Sequence, residues 1–223
     1  MLARLARSTA GVAATEFALT LPVLLALGLS GLEVGNRALV QMRVSQLAVH
    51  VADNASRIGD TATLENRKIY EADINDIFQG AQVQAGAGLG IFDHGRVIIS
   101  SLEVVPDTED TQYIHWQRCM GAKNHVSSYG LEGDGLDGGF PGMGPAGEEV
   151  TAFADDAVMF VEISYDYQPL FGIPFGFDSE VRASASFTVR DDRDLSEIYQ
   201  RDTAAPDNVA ECSEFSATSY AAG

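Results

Sequence analysis

The hydrophobic pattern of the chain has three regimes. From Ser8 to Leu32 the side chains are apolar or small, and Glu16 is the only ionisable one. At a rise of about 1.5 Å per residue, such a helix reaches roughly 37 Å, enough to cross a hydrocarbon core of about 30 Å. Past Asn36 the apolar positions thin to a stripe, Val40, Val44, Leu47, Val51, Ala55 and Ile58, with Gln41, Arg43, Gln46, Asp53 and Arg57 between them. Spacings of three and four mark an amphipathic helix, and Gly59 is a suitable stop. The pattern therefore predicts one helix over 12–58, with 12–35 as a transmembrane span and 36–58 as its amphipathic continuation. The outer half needs a soluble surface to pack on, either the chain's own sheet or a helix of another subunit.

A second helix is predicted after Thr61 or Thr63 as cap, with Tyr70, Ile74, Ile77, Phe78 and Ala81 on its apolar face. The period then changes to two. Arg96–Val105, Thr111–Cys119, Ala157–Tyr167 and Glu180–Arg190 read as strands, the last with Val181, Ala183, Ala185, Phe187 and Val189 on one face. Consecutive strands without intervening long helices predict an α+β fold, a four-stranded antiparallel sheet packed on one or two helices. Residues 59–190 would form this body. Within it, Gly121–Thr151 is rich in glycine and proline, and a connection this long is either functional or disordered. An acidic tail, 191–223, would carry a short helix at Leu195–Arg201.

Charge changes the picture. The chain has 223 residues, 14 Lys and Arg against 32 Asp and Glu, and a net charge of −18. That excess argues against nucleic acid as a partner, because phosphate recognition needs clustered cations. Arg4 and Arg7 precede the apolar run with no acid beside them, so the positive-inside rule places the 1–11 leader in the cytoplasm and the body across the membrane. There are two cysteines, Cys119 and Cys212. Outside the cytoplasm an even count favours one disulfide, which would tie the tail to the end of the second strand; two unrelated buried thiols are the alternative.

Little in the chain suggests catalysis. There is no Gly-x-Ser-x-Gly, Walker A or His-Glu-x-x-His motif. His125, Ser127 and Ser128 are close in sequence but lie in a loop, and His50 and His94 are scattered. Glu132, Asp134 and Asp137 lack the EF-hand spacing for calcium, and His115 with Cys119 lacks a second pair for zinc. No metal or cofactor is expected. Tyr165, Tyr167, Phe171, Phe175 and Phe177 read as packing residues rather than a ligand platform. The chain is expected not to be an enzyme.

A carboxylate inside a membrane span costs roughly 2.5–3.5 kcal/mol on insertion scales, so Glu16 calls for a reason. A cleaved secretory signal ending near Ala26-Leu27-Gly28 is one reading, a plain anchor a second. The third is the pilin arrangement, in which a short basic leader ends in Gly and Glu is the fifth residue after it. Gly11 followed by Val12, Ala13, Ala14, Thr15, Glu16 and Phe17 fits that spacing. Cleavage after Gly11 would expose a positive amine on Val12, which a carboxylate of this or a neighbouring subunit could neutralise in lipid.

The run from Gly11 to Pro22, the leucine-rich segment after it, and Gly31-Leu32-Glu33-Val34-Gly35 resemble the TadE-like pilus assembly family over about residues 8–58. Thr15 and Val34 stand where an aliphatic and an aromatic residue are usual. The resemblance implies a pilin-like pseudopilin or minor pilin of the tight-adherence, Flp-type pilus system. It implies processing by a prepilin peptidase between Gly11 and Val12, subunit registration through Glu16 and Phe17, and partners in the inner membrane, the other pilus subunits and the tight-adherence secretion machinery. A membrane-anchored or secreted ligand-binding module, with Gly121–Thr151 as its recognition surface, is the alternative.

Overall fold

The structure is a computed structural model that describes residues 10–59, 66–171, 179–190 and 192–218. Arg4, Arg7, Thr61, Thr63, Phe175 and Phe177 lie outside the described residues. The elements are α1 (Ala10–Ala55), α2 (Glu71–Ala85), α3 (Ile91–His94), β1 (Gly95–Val104), β2 (Gln112–Met120), β3 (Ala157–Asp166) and β4 (Glu180–Thr188). The fold is α+β. Of the described residues, 10–39 and 168–171 make one compact unit and the remainder a second.

In the second unit four strands form one antiparallel sheet in the order β2-β1-β3-β4. Strand alternation puts Val97 and Ile99 of β1 and Met159, Val161, Ile163 and Tyr165 of β3 on one face. Against them pack Val44, Leu47, Ala48, Val51, Ala52 and Ala55 of α1, and Ile74, Ile77, Phe78 and Ala81 of α2. The amphipathic stripe of α1 from Val44 on is thus buried on the chain's own body. Each Val, Leu, Ile or Phe so buried contributes about 1.5–3 kcal/mol relative to exposure. β4 carries Val181, Ala183, Ala185 and Phe187 toward this core, as its alternation predicts.

α2 begins at Glu71, later than a cap at Thr61 or Thr63 would place it. Its first turn is closed by Asp73, whose carboxylate accepts the Tyr70 N–H at 3.1 Å. The helix ends at Gly86, whose N–H reaches the Gln82 carbonyl.

The opposite face of the sheet carries Leu102, Ile114, Val158 and Phe160. The long β2–β3 connection folds over it and inserts Met143 and Ala152, with Tyr129, Phe140 and Val150 alongside. This glycine-rich stretch is therefore a cover that builds a second core. Its glycines permit close approach. Gly135 has φ +96°, and a Cβ there would lie 2.2 Å from the Gln112 carbonyl oxygen.

The tail corrects one expectation, because Leu195–Arg201 forms no helix. Its backbone is committed elsewhere. Tyr199 N–H donates to the Ile69 carbonyl and Glu71 N–H to the Tyr199 carbonyl, beside parallel bridges Arg67 to Arg193 and Tyr70 to Tyr199. Further on, Asn75 donates to the Asn208 carbonyl, and Cys119 N–H on the outer edge of β2 donates to Ala210 at 2.8 Å. Cys119 and Cys212 form a disulfide two residues later. The same edge is paired further along by the glycine-rich connection: Ile114 N–H donates to Asp134, and Gly133 N–H to Ile114. The tail and the loop so occupy an edge that would otherwise present free backbone groups to another chain.

Candidate functional site

α1 is the one helix among the described residues long and apolar enough to cross a membrane. Between Val12 and Val34 most of its apolar side chains are exposed, Leu21 and Leu29 being half-buried. Val12, Phe17, Leu19, Val23, Leu24, Leu25, Leu27, Leu32 and Val34 are all exposed. A contiguous apolar flank of this size is untenable in water and natural in lipid.

The hydroxyls of Thr15, Thr20 and Ser30 within the span are satisfied locally. Thr15 Oγ1 donates to the Val12 carbonyl at 2.8 Å, Thr20 Oγ1 to Glu16 at 3.0 Å, and Ser30 Oγ to Ala26 at 2.5 Å. Each hydroxyl returns to the backbone three or four residues earlier, which lets a lipid-facing helix carry it. Thr15, the unusual residue next to Glu16, therefore leaves no stray donor. The helix is continuous through Pro22. Membrane helices accept the donor lost there.

Gly11, Val12, Glu16 and Phe17 are all exposed on the first turns of α1. Val12 and Glu16 are four residues apart and so share a face, as do Ala13 and Phe17. A Cβ at Gly11 would meet nothing within 4 Å.

Glu33 behaves oppositely to Glu16. It is 3% exposed, and one oxygen accepts the Leu170 N–H at 3.1 Å within the same compact unit. In the sequence Glu33 stands only within the Gly31–Gly35 pattern, with no role implied, as a second acid just where the uncharged run ends.

The remaining groups singled out in the sequence have local partners. Cys119 is in the disulfide, and the His115 Nδ1 lies 2.9 Å from Glu103 Oε2, so the two do not form a metal pair. His115 is the extra residue at a bulge of β2, where pairing steps from Ser101–Trp116 to Leu102–Ile114. Its pKa is raised, chiefly by the hydrogen bond to Glu103, against a smaller opposing effect of burial. Tyr113 beside it is pushed up to about 12 by burial and then by the Glu103 charge.

His125, Ser127 and Ser128 do converge, but on Glu162 of β3. His125 Nε2 is 2.9 Å from one carboxylate oxygen, Ser127 Oγ donates to the other at 2.9 Å, and Ser128 N–H donates at 3.0 Å. Ser127 gives its proton to the carboxylate rather than to His125, so the cluster anchors the connection instead of arming a nucleophile. Glu132 accepts the Gln117 N–H and Asp134 the Leu131 N–H, while Asp137 is exposed. Among the described residues no three His, Cys, Asp or Glu side chains are grouped to hold a metal. Tyr165 and Tyr167 are core residues, the former donating to the Leu89 carbonyl at 2.8 Å. Phe171, expected to pack, is instead exposed.

No curated protein and no solved structure matches the chain. Residues 11–57, from the Gly before the span to the turn that ends α1, match the family model described as TadE-like protein, and this likeness points to a Tad-pilus-related role.

Proposed function

We propose that the protein is a pseudopilin or minor pilin that takes part in assembly of tight-adherence, Flp-type pili and has no enzymatic activity of its own. The observation that carries this is the first half of α1: an uncovered apolar flank whose single acid, Glu16, stands exposed as the fifth residue after Gly11, within the segment similar to TadE-like proteins. The leader stays in the cytoplasm, α1 crosses the inner membrane once, and the acidic body lies in the periplasm or outside the cell. A prepilin peptidase cuts between Gly11 and Val12. Glu16 then neutralises the Val12 amine of the same or a neighbouring subunit, with Phe17 packing beside it, and so sets the register between helices. Other pilus subunits and the secretion machinery are the partners.

N-terminal sequencing of the protein from its host tests the route. A chain starting at Val12 supports it; a start at Leu29 replaces it with a secreted domain, and an intact Met1 with a simple anchor. Glu16→Ala is expected to leave cleavage intact and to reduce piliation sharply, counted by electron microscopy. Normal pili on that variant would remove the pairing role.

A further inference from the structure

We propose that residues 168–171, the start of the β3–β4 connection, lie in the membrane interface beside the exit of α1, with Leu170 and Phe171 in contact with lipid. This rests on reading α1 as membrane-spanning. From Val12 to Glu33 the helix rises roughly 31 Å, the thickness of a hydrocarbon core, which sets Glu33 at the level where α1 leaves it. A bare carboxylate at that level is costly. Glu33 is instead buried, and its oxygen accepts the Leu170 N–H at 3.1 Å, so the bond that shields the acid also fixes Leu170 beside it. The side chains there are exposed, Leu170 by 60% and Phe171 by 39%.

The bond to Glu33 holds Leu170 at the level of α1 where Leu32 and Val34 are exposed. Residues 168–171 are uncharged, and Pro169 disfavours continuing β3 into them. An uncharged, aromatic-containing segment tied to the end of a span fits the bilayer interface. The occupant is lipid of any headgroup, since the net charge of −18 makes attraction to anionic lipid unfavourable. The protein is then held at the membrane twice, by α1 and by residues 168–171.

Depth-dependent quenching tests this on the full chain reconstituted in phosphatidylcholine vesicles. The native Trp116 is replaced in a Trp116→Phe background, and single tryptophans are introduced as Phe171→Trp, Leu170→Trp, Leu25→Trp and, on the body, Val126→Trp. Lipid brominated near the headgroup is expected to quench positions 170 and 171 several-fold more than position 126, and lipid brominated near the chain end to quench position 25 best. Quenching at 25 with none at 170 and 171 overturns the inference while leaving the span intact. Loss of quenching at all three overturns both. A blue-shifted but unquenched signal at 171 that grows with the protein-to-lipid ratio means a second copy of the chain covers the site, and also overturns it. Two independent positions in the connection guard against one variant that misfolds.

Discussion

Arg96 has no exposed surface and, among the described residues, bonds to no carboxylate. Its guanidinium donates to the carbonyls of Gly121 at 2.9 Å, Glu214 at 2.6 Å and Cys212 at 2.7 Å, and lies 4.2 Å from the centre of the Phe215 ring. Burial lowers its pKa. The residue thus ties β1 to the end of β2 and to the tail, beside the disulfide that joins those two directly. Arg96→Met keeps much of the volume but leaves three carbonyls short of a charged donor, and is expected to cost about 3 kcal/mol or more. The urea midpoint of the full chain in detergent, followed by Trp116 fluorescence, measures it. His115 sets a pH dependence. Its folded pKa lies above the unfolded 6.5, so its contribution to stability is complete below pH 6.5 and is lost as pH rises through the raised value. Stability is expected to fall over that range in the wild type and to be flatter in His115→Gln, read from denaturation at a series of pH values. On the acid side, burial would raise the Glu180 carboxyl, but hydrogen bonds from Arg182, Lys123 and Ser164 outweigh it and hold it at about 2. Its share is present above pH 4.5 and fades as pH falls toward about 2.

At the scale of elements, the alternation of Val97, Ile99, Val161 and Ile163 was enough to read the strands, because a buried face of a sheet leaves a period-two trace. Their ends agree with the sequence reading to within about two residues, the ordinary uncertainty of such boundaries. α2 was legible by its apolar face but not by its start, since the cap is Asp73 reaching back rather than a Ser or Thr ahead. Of the tail's attachment only the Cys119–Cys212 disulfide was legible, from the even cysteine count. The tail's pairing to Ile69, Tyr70 and Cys119 is through backbone groups, which carry no side-chain pattern. The disulfide is the covalent part of this attachment and closes a loop of 93 residues. In the chain-entropy model that loop is worth about 4.6 kcal/mol. Replacing both cysteines by serine is expected to lower stability by up to that amount and to make the segment after Asn208 sensitive to protease, while the sheet core remains. Limited proteolysis with mass mapping, beside the same urea titration, checks both.

At the scale of the molecule, α1 carries two kinds of apolar surface. Val44, Leu47, Ala48, Val51, Ala52 and Ala55 are buried in the body, and from Val12 to Val34 most apolar side chains are exposed. Of the two partners for the outer half, the chain's own sheet and another subunit's helix, the sheet takes the stripe. Leu39, Met42 and Val49 stay exposed on α1's remaining surface. The likeness to TadE-like proteins covers residues 11–57.

Local sequence determined the span, the lone acid five residues after Gly11, the stripe beyond it, the four strands and the α+β class. Each depends on short-range periodicity or charge, which a chain cannot hide. Tertiary structure alone decided the rest: that the connection between Gly121 and Thr151 covers a second core, that Arg96 and backbone pairing hold the tail, and that Glu33 meets Leu170 across 137 positions of sequence. Contacts between residues so far apart follow from how the elements close on one another. No window of sequence contains both partners.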